Sequence, residues 1–410
     1  MPDRTRWTIL AVGTFSQAAT CSFLYGVPML VPALRHDEGL SLLGASVLVS
    51  APMVGLLLTL IAWGALADRR GERVVIASGV GLAAVLLVVA AAVPGVVVTA
   101  LLLALAGAAG ASVNAASGRV VMGWFPVHER GLAMGTRQTA QPLGVALASI
   151  ALPPLADAFG ARAALLFPAA LCALAAVAVW LLVSDPPRRP APADGEPRPA
   201  VWSPYRGSWQ LARVHLSSSL LVVPQFAVAT FTLVYLVGER GWDSATAGRL
   251  IFGFQVLGAV GRIVTGVWSD RVGSRLRPMR QLAVCSAVLM AALALGAAAH
   301  SVWIVVVFGL AAVVTVADNG LAYTSVAELA GVDWSGRALG VQNTAQNLTA
   351  VITAPVLAAI IGDSRYAVAF GLVAVLPLLA VGTTPVRAER RAARVGQEQV
   401  VAAGAATTDC

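Results

Sequence analysis

Long apolar runs separated by short polar stretches dominate this 410-residue chain. A membrane-spanning helix needs about 20 mostly apolar residues, and the sequence divides into twelve such runs. Their predicted positions are 7–30, 42–66, 74–93, 96–123, 132–155, 162–183, 210–236, 246–268, 280–299, 301–327, 338–361 and 366–386. The pattern predicts an all-α integral membrane protein with twelve transmembrane helices.

A proline-rich polar stretch divides the twelve runs into two sets of six. Residues 185–208 are rich in proline, arginine and alanine, a composition typical of a linker. The predicted organisation is therefore a first six-helix bundle at 1–184, a cytoplasmic linker at 185–208 and a second bundle at 209–386. The small polar residues of 387–410 predict a disordered cytoplasmic tail.

The two predicted halves repeat one another. Gly64–Arg73 reads GALADRRGER, and Gly266–Arg275 reads GVWSDRVGSR. Residues 135–144 (GTRQTAQPLG) likewise align with residues 340–349 (GVQNTAQNLT). Duplication of this kind predicts two pseudo-symmetric halves with a substrate site between them, near the middle of the membrane.

The duplicated Asp-Arg loops resemble the loop signature of the major facilitator superfamily, and the resemblance to its bacterial twelve-helix members extends over nearly the whole chain. It implies transport by alternating access, with the loop residues in a cytoplasmic gate that stabilises the outward-facing state. These residues are Asp68, Arg69, Arg73, Asp270, Arg271 and Arg275. The alternative is that the loops only orient the chain in the bilayer as charged turns.

Composition and charge support a multi-pass protein of the cell membrane. Hydrophobic residues make up 58% of the chain and charged residues only 12%, whereas about a quarter of the residues in soluble domains are charged. The formal net charge of +8 comes from arginine, since lysine is absent. Most of these arginines fall on one side if the termini and the even-numbered loops share that side, which predicts cytoplasmic termini. Arginine in short loops does not indicate a nucleic-acid partner.

Nothing in the sequence predicts an enzyme, a cofactor or a metal site. The four cysteines occur singly, and the four histidines are scattered near the ends of the runs without ligand spacing. No phosphate-binding glycine-lysine loop is present. The expected partners are the lipid bilayer, a small-molecule substrate and protons, and the expected functional unit is a monomer.

Three arginines inside the apolar runs are predicted to line the substrate cavity, because an unpaired charge in the membrane is costly. Arg119 precedes Val-Val-Met-Gly, which resembles the fourth-span arginine motif of the superfamily and implies a role in substrate or proton handling. Arg137 lies at a similar depth in the fifth run. Gly261-Arg262 resembles a pair found in carboxylate-transporting branches. For Arg119 and Arg137 the alternative is that they extend towards cytoplasmic lipid headgroups or bind helix-end carbonyls.

Asp318 is the carboxylate that lies clearly within an apolar run. Burial disfavours its charged form and a nearby arginine favours it, so we expect Asp318 to carry the coupling proton, with Arg262 as its partner. A fixed buried ion pair or a hydrogen bond across helices is the alternative.

Amide side chains inside the runs are expected to face other helices or a wet cavity. Asn114 aligns with Asn319, and Gln141 with Gln346; all four are predicted to line the cavity, with hydrogen bonding between helices as the alternative. The segment Gln141-Pro142-Leu143-Gly144 partly resembles the glycine-proline motif of drug-proton antiporters, but it departs from that motif at Gln141.

Together these features predict a secondary active transporter of a small organic solute, coupled to protons. Three membrane arginines against one membrane aspartate favour an anion. An efflux antiporter for drugs or lipophilic compounds is the alternative on the same fold, and it predicts an apolar cavity with an acid in the first half. A receptor or assembly factor predicts an added soluble domain or degraded gate loops, and the sequence shows neither.

Overall fold

The computed structural model describes residues 3–40, 42–185, 203–206, 208–331, 333–362, 364–387 and 389. Most of the predicted linker and of the predicted disordered tail lies outside these residues. The described residues form an all-α bundle of twelve long helical segments, here called the first to twelfth spans. Their bounds are Asp3–Leu24, Leu42–Arg70, Glu72–Ala92, Val96–Trp124, Val127–Phe159, Ala161–Leu182, Gln210–Gly238, Ser244–Val272, Leu276–Ala298, Ile304–Ala330, Ser335–Ile361 and Tyr366–Thr383.

Eleven of these spans, all within the described residues, are long and apolar enough to cross a membrane. The exception is the first span, whose hydropathy is lowered by small polar residues. Ser16, Gln17 and Thr20 are at most 5% exposed, so they face the interior of the bundle rather than lipid. The first span is also shorter than predicted, because the helix ends at Leu24. A 3-10 turn that contains Pro28 follows at Val27–Leu30.

Two spans that the sequence predicts as continuous helices are interrupted near their middle. The fifth consists of a short 3-10 turn followed by helices Arg130–Gln138 and Ala140–Phe159. The tenth consists of Ile304–Ala317 and Asn319–Ala330, with Asp318 at the break. In the fifth span Pro142 lacks the N–H that would bond to the carbonyl of Gln138. Interrupted helices leave backbone groups free for other partners.

Three apolar clusters hold the bundle together. One lies within the first six spans, between Ile9 and Val183, and another within the last six, between Ala227 and Ala374. The third joins both halves and includes Met134 and Leu339. On the outer surface, large apolar side chains such as Leu58 are exposed. An exposed apolar belt of this kind is the surface that a bilayer covers.

Both ends of the described chain lie on the same face of the bundle. Arg6 forms an ion pair with Glu129, at the turn between the fourth and fifth spans, with an N–O distance of 3.0 Å. Glu389 accepts a hydrogen bond from the backbone N–H of Arg275 at 2.7 Å. We call this side, which also carries Asp68 and Asp270, the motif face. The opposite face carries the turns between odd-numbered spans and the spans that follow them.

Candidate functional site

Asp68, at the end of the second span, caps the eleventh span in the other half of the molecule. Its side chain is 2% exposed. One carboxylate oxygen accepts the backbone N–H of Gly336 at 2.9 Å, and the other accepts that of Arg337 at 3.1 Å. The first N–H groups of a helix have no partner within the helix, and they carry partial positive charge. The carboxylate therefore joins the two halves at the motif face.

Asp270 makes the equivalent contact in the reverse direction. It ends the eighth span and accepts the backbone N–H groups of Gly131 at 2.9 Å and Leu132 at 2.8 Å. These residues lie in the first turn of the helix Arg130–Gln138 of the fifth span. The duplicated aspartates thus hold two pseudo-symmetric seams, one between the second and eleventh spans and one between the fifth and eighth.

Glycines allow the backbones to touch at both seams. A Cβ atom added to Gly64 would lie 2.3 Å from the carbonyl oxygen of Gly336, and one added to Gly266 would lie 2.2 Å from that of Gly131. Both distances are far too short for real atoms. Glycine is therefore required at these positions for the motif face to close as it does here.

The arginine partners of the two aspartates come from different places. Arg275, the closing arginine of its loop, donates to Asp270 at 2.5 Å and lies 3.5 Å from Glu328. Asp68 pairs instead with Arg119 of the fourth span, which also donates to Glu72 at 2.5 Å. The prediction that Arg119 lines the substrate cavity is therefore wrong. Its guanidinium lies between two acids at the seam.

Among the described residues, the three other predicted gate residues form no hydrogen bond or ion pair with Asp68 or Asp270. Arg73 turns towards the end of the sixth span, where it donates to the carbonyl of Trp180 at 2.5 Å and lies 4.7 Å from the centre of that ring. Arg69 and Arg271 are exposed. Sequence reasoning also missed Glu72 and Glu328. Glu72 directly follows the Asp-Arg-Arg-Gly signature, but Ser274 occupies the same place in the second loop, so the repeat gave no signal for it.

A polar cavity lies between the halves, behind the closed seams. The space that water-sized molecules can occupy within it is about 50 Å³. Nine amide side chains and two tyrosines dominate its walls, and the residues that line it carry no charge. The lining residues are Gln17, Cys21, Tyr25, Asn114, Gln138, Gln141, Val222, Gln225, Phe226, Asn319, Tyr323, Asn343, Gln346, Asn347 and Ala350. The four amides predicted from the sequence, at 114, 141, 319 and 346, are all among them.

Hydrogen bonds fix several of these amides in place. Gln17 donates to Asn114 at 3.3 Å in the first half. Asn319 donates to Gln225 at 3.0 Å and accepts from Gln346 at 3.3 Å in the second half. For Asn114, Asn319 and Gln346 the two alternatives, lining of the cavity and hydrogen bonding between helices, therefore hold together.

Arg137 lies directly behind the cavity wall and is 1% exposed. Its Nε donates to Ser117 at 2.7 Å, one Nη donates to the carbonyl of Asn114 at 3.2 Å, and the guanidinium lies 5.5 Å from the ring centre of Tyr323. Among the described residues, no carboxylate lies within the 4.0 Å that defines an ion pair with it. Within the described chain, a buried cation without a carboxylate partner thus lies behind the cavity wall.

Arg262 is also buried behind the wall and contacts the opposite half. It donates at 2.5 Å to the carbonyl of Gln138, the group that Pro142 leaves without a helical partner. Among the described residues, its Nε has no hydrogen-bond partner, and neither has Oδ2 of Asp318. Within the described chain Arg262 and Asp318 do not form an ion pair, so the predicted pairing is absent in this conformation. The sequence predicts that Arg137 and Arg262 line the cavity. In this conformation neither residue lines it directly.

Comparison with known proteins places the chain in a family. The model of the Major Facilitator Superfamily matches residues 10–354. An uncharacterized MFS-type transporter of Mycobacterium tuberculosis is 44% identical over 382 residues, covering 93% of this chain and 85% of that protein. The probable galactarate/D-glucarate transporter GudP of Bacillus subtilis is 23% identical over 359 residues, covering 79% of this chain and 78% of that protein. The Escherichia coli fucose:proton symporter FucP has a TM-score of 0.72 at 15% identity, covering 92% of this chain and 97% of that structure.

Twelve spans in two halves around a central polar cavity define a multi-pass membrane transporter. The chain belongs to the major facilitator superfamily. It is a transporter of small molecules and not an enzyme.

Proposed function

We propose that this protein is a proton-coupled carrier of a small organic anion that works by alternating access. The observation that carries the proposal is Arg137, which is buried beside the cavity without an acid partner among the described residues. A buried charge costs several kcal/mol unless it is compensated. An anionic substrate in the cavity supplies that compensation, because a low-dielectric wall transmits the charge effectively.

The amides of the cavity wall suit a hydroxylated anion. Carboxamides donate and accept hydrogen bonds, so they can bind several hydroxyl groups of one substrate. The Bacillus relative is described as a transporter of galactarate and D-glucarate, which are hydroxylated dicarboxylates. D-Glucarate is therefore the first substrate to test.

A polar wall argues against the efflux of lipophilic compounds, for which we expect an apolar cavity. A neutral polar solute is the second candidate, because the residues that line the cavity are themselves uncharged. A neutral solute does not need the positive charge of Arg137. Binding of an anion should therefore depend on Arg137, whereas binding of a neutral solute should not.

Proton coupling is assigned to Asp318. Its side chain is 3% exposed, and Oδ2 has no partner, which suits a neutral carboxyl group. Opening of the motif face separates Arg262 from the carbonyl of Gln138. Arg262 is then free to pair with ionised Asp318, and the proton leaves.

The conformation described here is closed at the motif face. The arginine bias of the sequence favours a cytoplasmic position for that face and for both termini. On that basis we propose that the closed seams represent the outward-facing half of the transport cycle.

Thermal stabilisation of the purified protein tests the substrate class. A ligand that binds the folded state raises its melting temperature. The panel contains hydroxylated carboxylates such as D-glucarate, neutral sugars such as L-fucose, and lipophilic cations. We expect the carboxylates to stabilise the protein most. Stabilisation only by sugars supports the neutral-solute candidate, and stabilisation only by lipophilic compounds overturns both.

A further inference from the structure

A chain of hydrogen bonds runs from a buried histidine near the motif face to the cavity wall. His215, in the second turn of the seventh span, is 7% exposed. Its Nδ1 lies 2.6 Å from Oε1 of Gln342, and Nε2 of Gln342 donates to Ser218 at 2.6 Å. Ser218 also accepts a hydrogen bond of 2.6 Å from the cavity residue Gln346. His215 is thus connected by hydrogen bonds to a side chain that lines the cavity.

The directions of these bonds fix the hydrogen on the imidazole ring. The amide nitrogen of Gln342 is used on Ser218, so its oxygen faces Nδ1 of His215, which must donate. In the neutral ring Nε2 is then an acceptor, and it receives the hydroxyl of Tyr205 at 2.9 Å. When Nε2 is protonated, the oxygen of Tyr205 can accept from it instead. Both charge states therefore keep their partners.

Tyr205 lies between this site and the solvent at the motif face. Tyr205 precedes the seventh span and is 36% exposed, so the far side of its ring contacts solvent. Its phenol stays protonated at physiological pH, because burial of the hydroxyl raises the pKa of Tyr205 to about 12. The phenol can therefore donate to neutral His215 throughout this range.

The groups that face His215 are otherwise uncharged. The eleventh span contributes Gln342, and the segment before the helix contributes Tyr205 as the titratable neighbour. Arg213, on the same helix, is directed towards the end of the twelfth span, where it donates to the carbonyls of Gly382 and Thr383. Among the described residues, no carboxylate forms an ion pair with His215. A proton on His215 thus adds a charge whose hydrogen-bond partners among the described residues are the neutral oxygens of Gln342 and Tyr205.

We propose that His215 is a proton-binding residue that positions Gln346, and so links the pH at the motif face to recognition in the cavity. The link to substrate rests on the proposed function, whereas the link between His215 and the cavity wall does not. Charge on the imidazole strengthens its bond to Gln342, and hydrogen bonds in series polarise one another. Gln342 and Ser218 are the positioning residues through which this effect passes.

Nuclear magnetic resonance of the protein labelled with ¹³C-histidine tests the link without any ligand. The chain contains four histidines, and His215→Gln identifies the signal of His215 by its loss. We expect Ser218→Ala and Gln346→Ala each to move the titration midpoint of His215 by about half a unit, or about threefold in proton affinity. Gln17→Ala, which removes a cavity amide outside this hydrogen-bond chain, should leave it unchanged. An unmoved midpoint in both variants, or an equal shift with Gln17→Ala, overturns the proposal.

Addition of D-glucarate separates this proposal from the substrate proposal. Because linkage is reciprocal, binding in the cavity must shift the midpoint of His215 in the wild type, and Ser218→Ala must abolish that shift. Binding of D-glucarate that leaves the midpoint unmoved contradicts the role of His215. If D-glucarate does not bind, the substrate proposal fails, and the ligand-free comparison still decides the role of His215.

Discussion

Asp68 and Asp270 each cap a helix that belongs to the other half of the molecule. Asp68 accepts the N–H of Gly336, and Asp270 accepts the N–H of Gly131, both at 2.9 Å. Each half therefore holds the other by the same contact. Two symmetrically placed helix caps, rather than one contact, therefore hold the motif face closed.

Asp68→Asn and Asp270→Asn should each open the motif face. Asparagine keeps one acceptor oxygen but loses the charge that interacts with the helix terminus and the arginine. We expect the open state to gain about tenfold in population, which corresponds to about 1.4 kcal/mol. Pulsed electron paramagnetic resonance between spin labels at the exposed positions Arg70 and Arg277 measures this, in a background free of native cysteine.

The control for this pair is Asp157→Asn, which changes an exposed carboxylate at the end of the fifth span. This variant should keep the distance distribution of the wild type. If both cap variants also keep that distribution, the caps do not hold the seams.

Gly266→Ala should prevent closure, because its Cβ would collide with the carbonyl oxygen of Gly131. Gly253→Ala in the same span is the matched control, since a Cβ there meets nothing within 4 Å. We expect the first variant to populate the open state and to lose most transport, while the second stays close to the wild type. The rate at which a single cysteine at the seam reacts with a soluble maleimide measures how far each variant populates the open state. Equal reaction rates in the two variants would refute the steric argument.

Arg119→Gln should destabilise the protein without removing a substrate contact. The change leaves Glu72 and Asp68 buried beside a neutral side chain, and breaking a buried ion pair costs about 3–5 kcal/mol. The double variant Glu72→Gln with Arg119→Gln removes one of the uncompensated acids, so it should recover part of the loss. Thermal unfolding of the two variants measures this. A double variant less stable than Arg119→Gln alone would show that Glu72 does not depend on Arg119.

Asp318→Asn should abolish accumulation driven by a proton gradient while leaving exchange of substrate across the membrane. The amide cannot release a proton, but the cavity and the seams keep their contacts. Uptake and counterflow of labelled D-glucarate in proteoliposomes separate the two activities. Asp157→Asn is again the control and should retain both. Accumulation by Asp318→Asn at the wild-type level would remove Asp318 from the coupling mechanism.

The spans and the seams could be predicted from the sequence because each depends on a local pattern. Apolar runs define the membrane helices, and the Asp-Arg loops recur in both halves. The amides at Gln141 and Gln346 were also predictable, since polar side chains within an apolar run must face the interior.

The arginine partners depended on packing and could not be predicted in the same way. Depth in the membrane does not show which neighbour a guanidinium meets, so Arg119 was assigned to the cavity although it pairs with Asp68. Arg73 and Arg275 occupy equivalent positions in the repeat, yet only Arg275 lies at a seam. The bond from Arg262 to the carbonyl of Gln138 joins different halves, and the sequence shows only the proline that frees that carbonyl.

Binding of D-glucarate to Arg137 variants tests whether Arg137 compensates the charge of an anionic substrate. Isothermal titration calorimetry compares the wild type with Arg137→Lys, which keeps the charge, and Arg137→Gln, which removes it. Arg277→Gln, at an exposed position on the motif face, is the control. We expect wild-type affinity for the control and partial affinity for the lysine variant. The glutamine variant should lose at least about tenfold in affinity, which corresponds to about 1.4 kcal/mol. Wild-type affinity in a folded Arg137→Gln protein would contradict the claim that Arg137 compensates an anionic substrate.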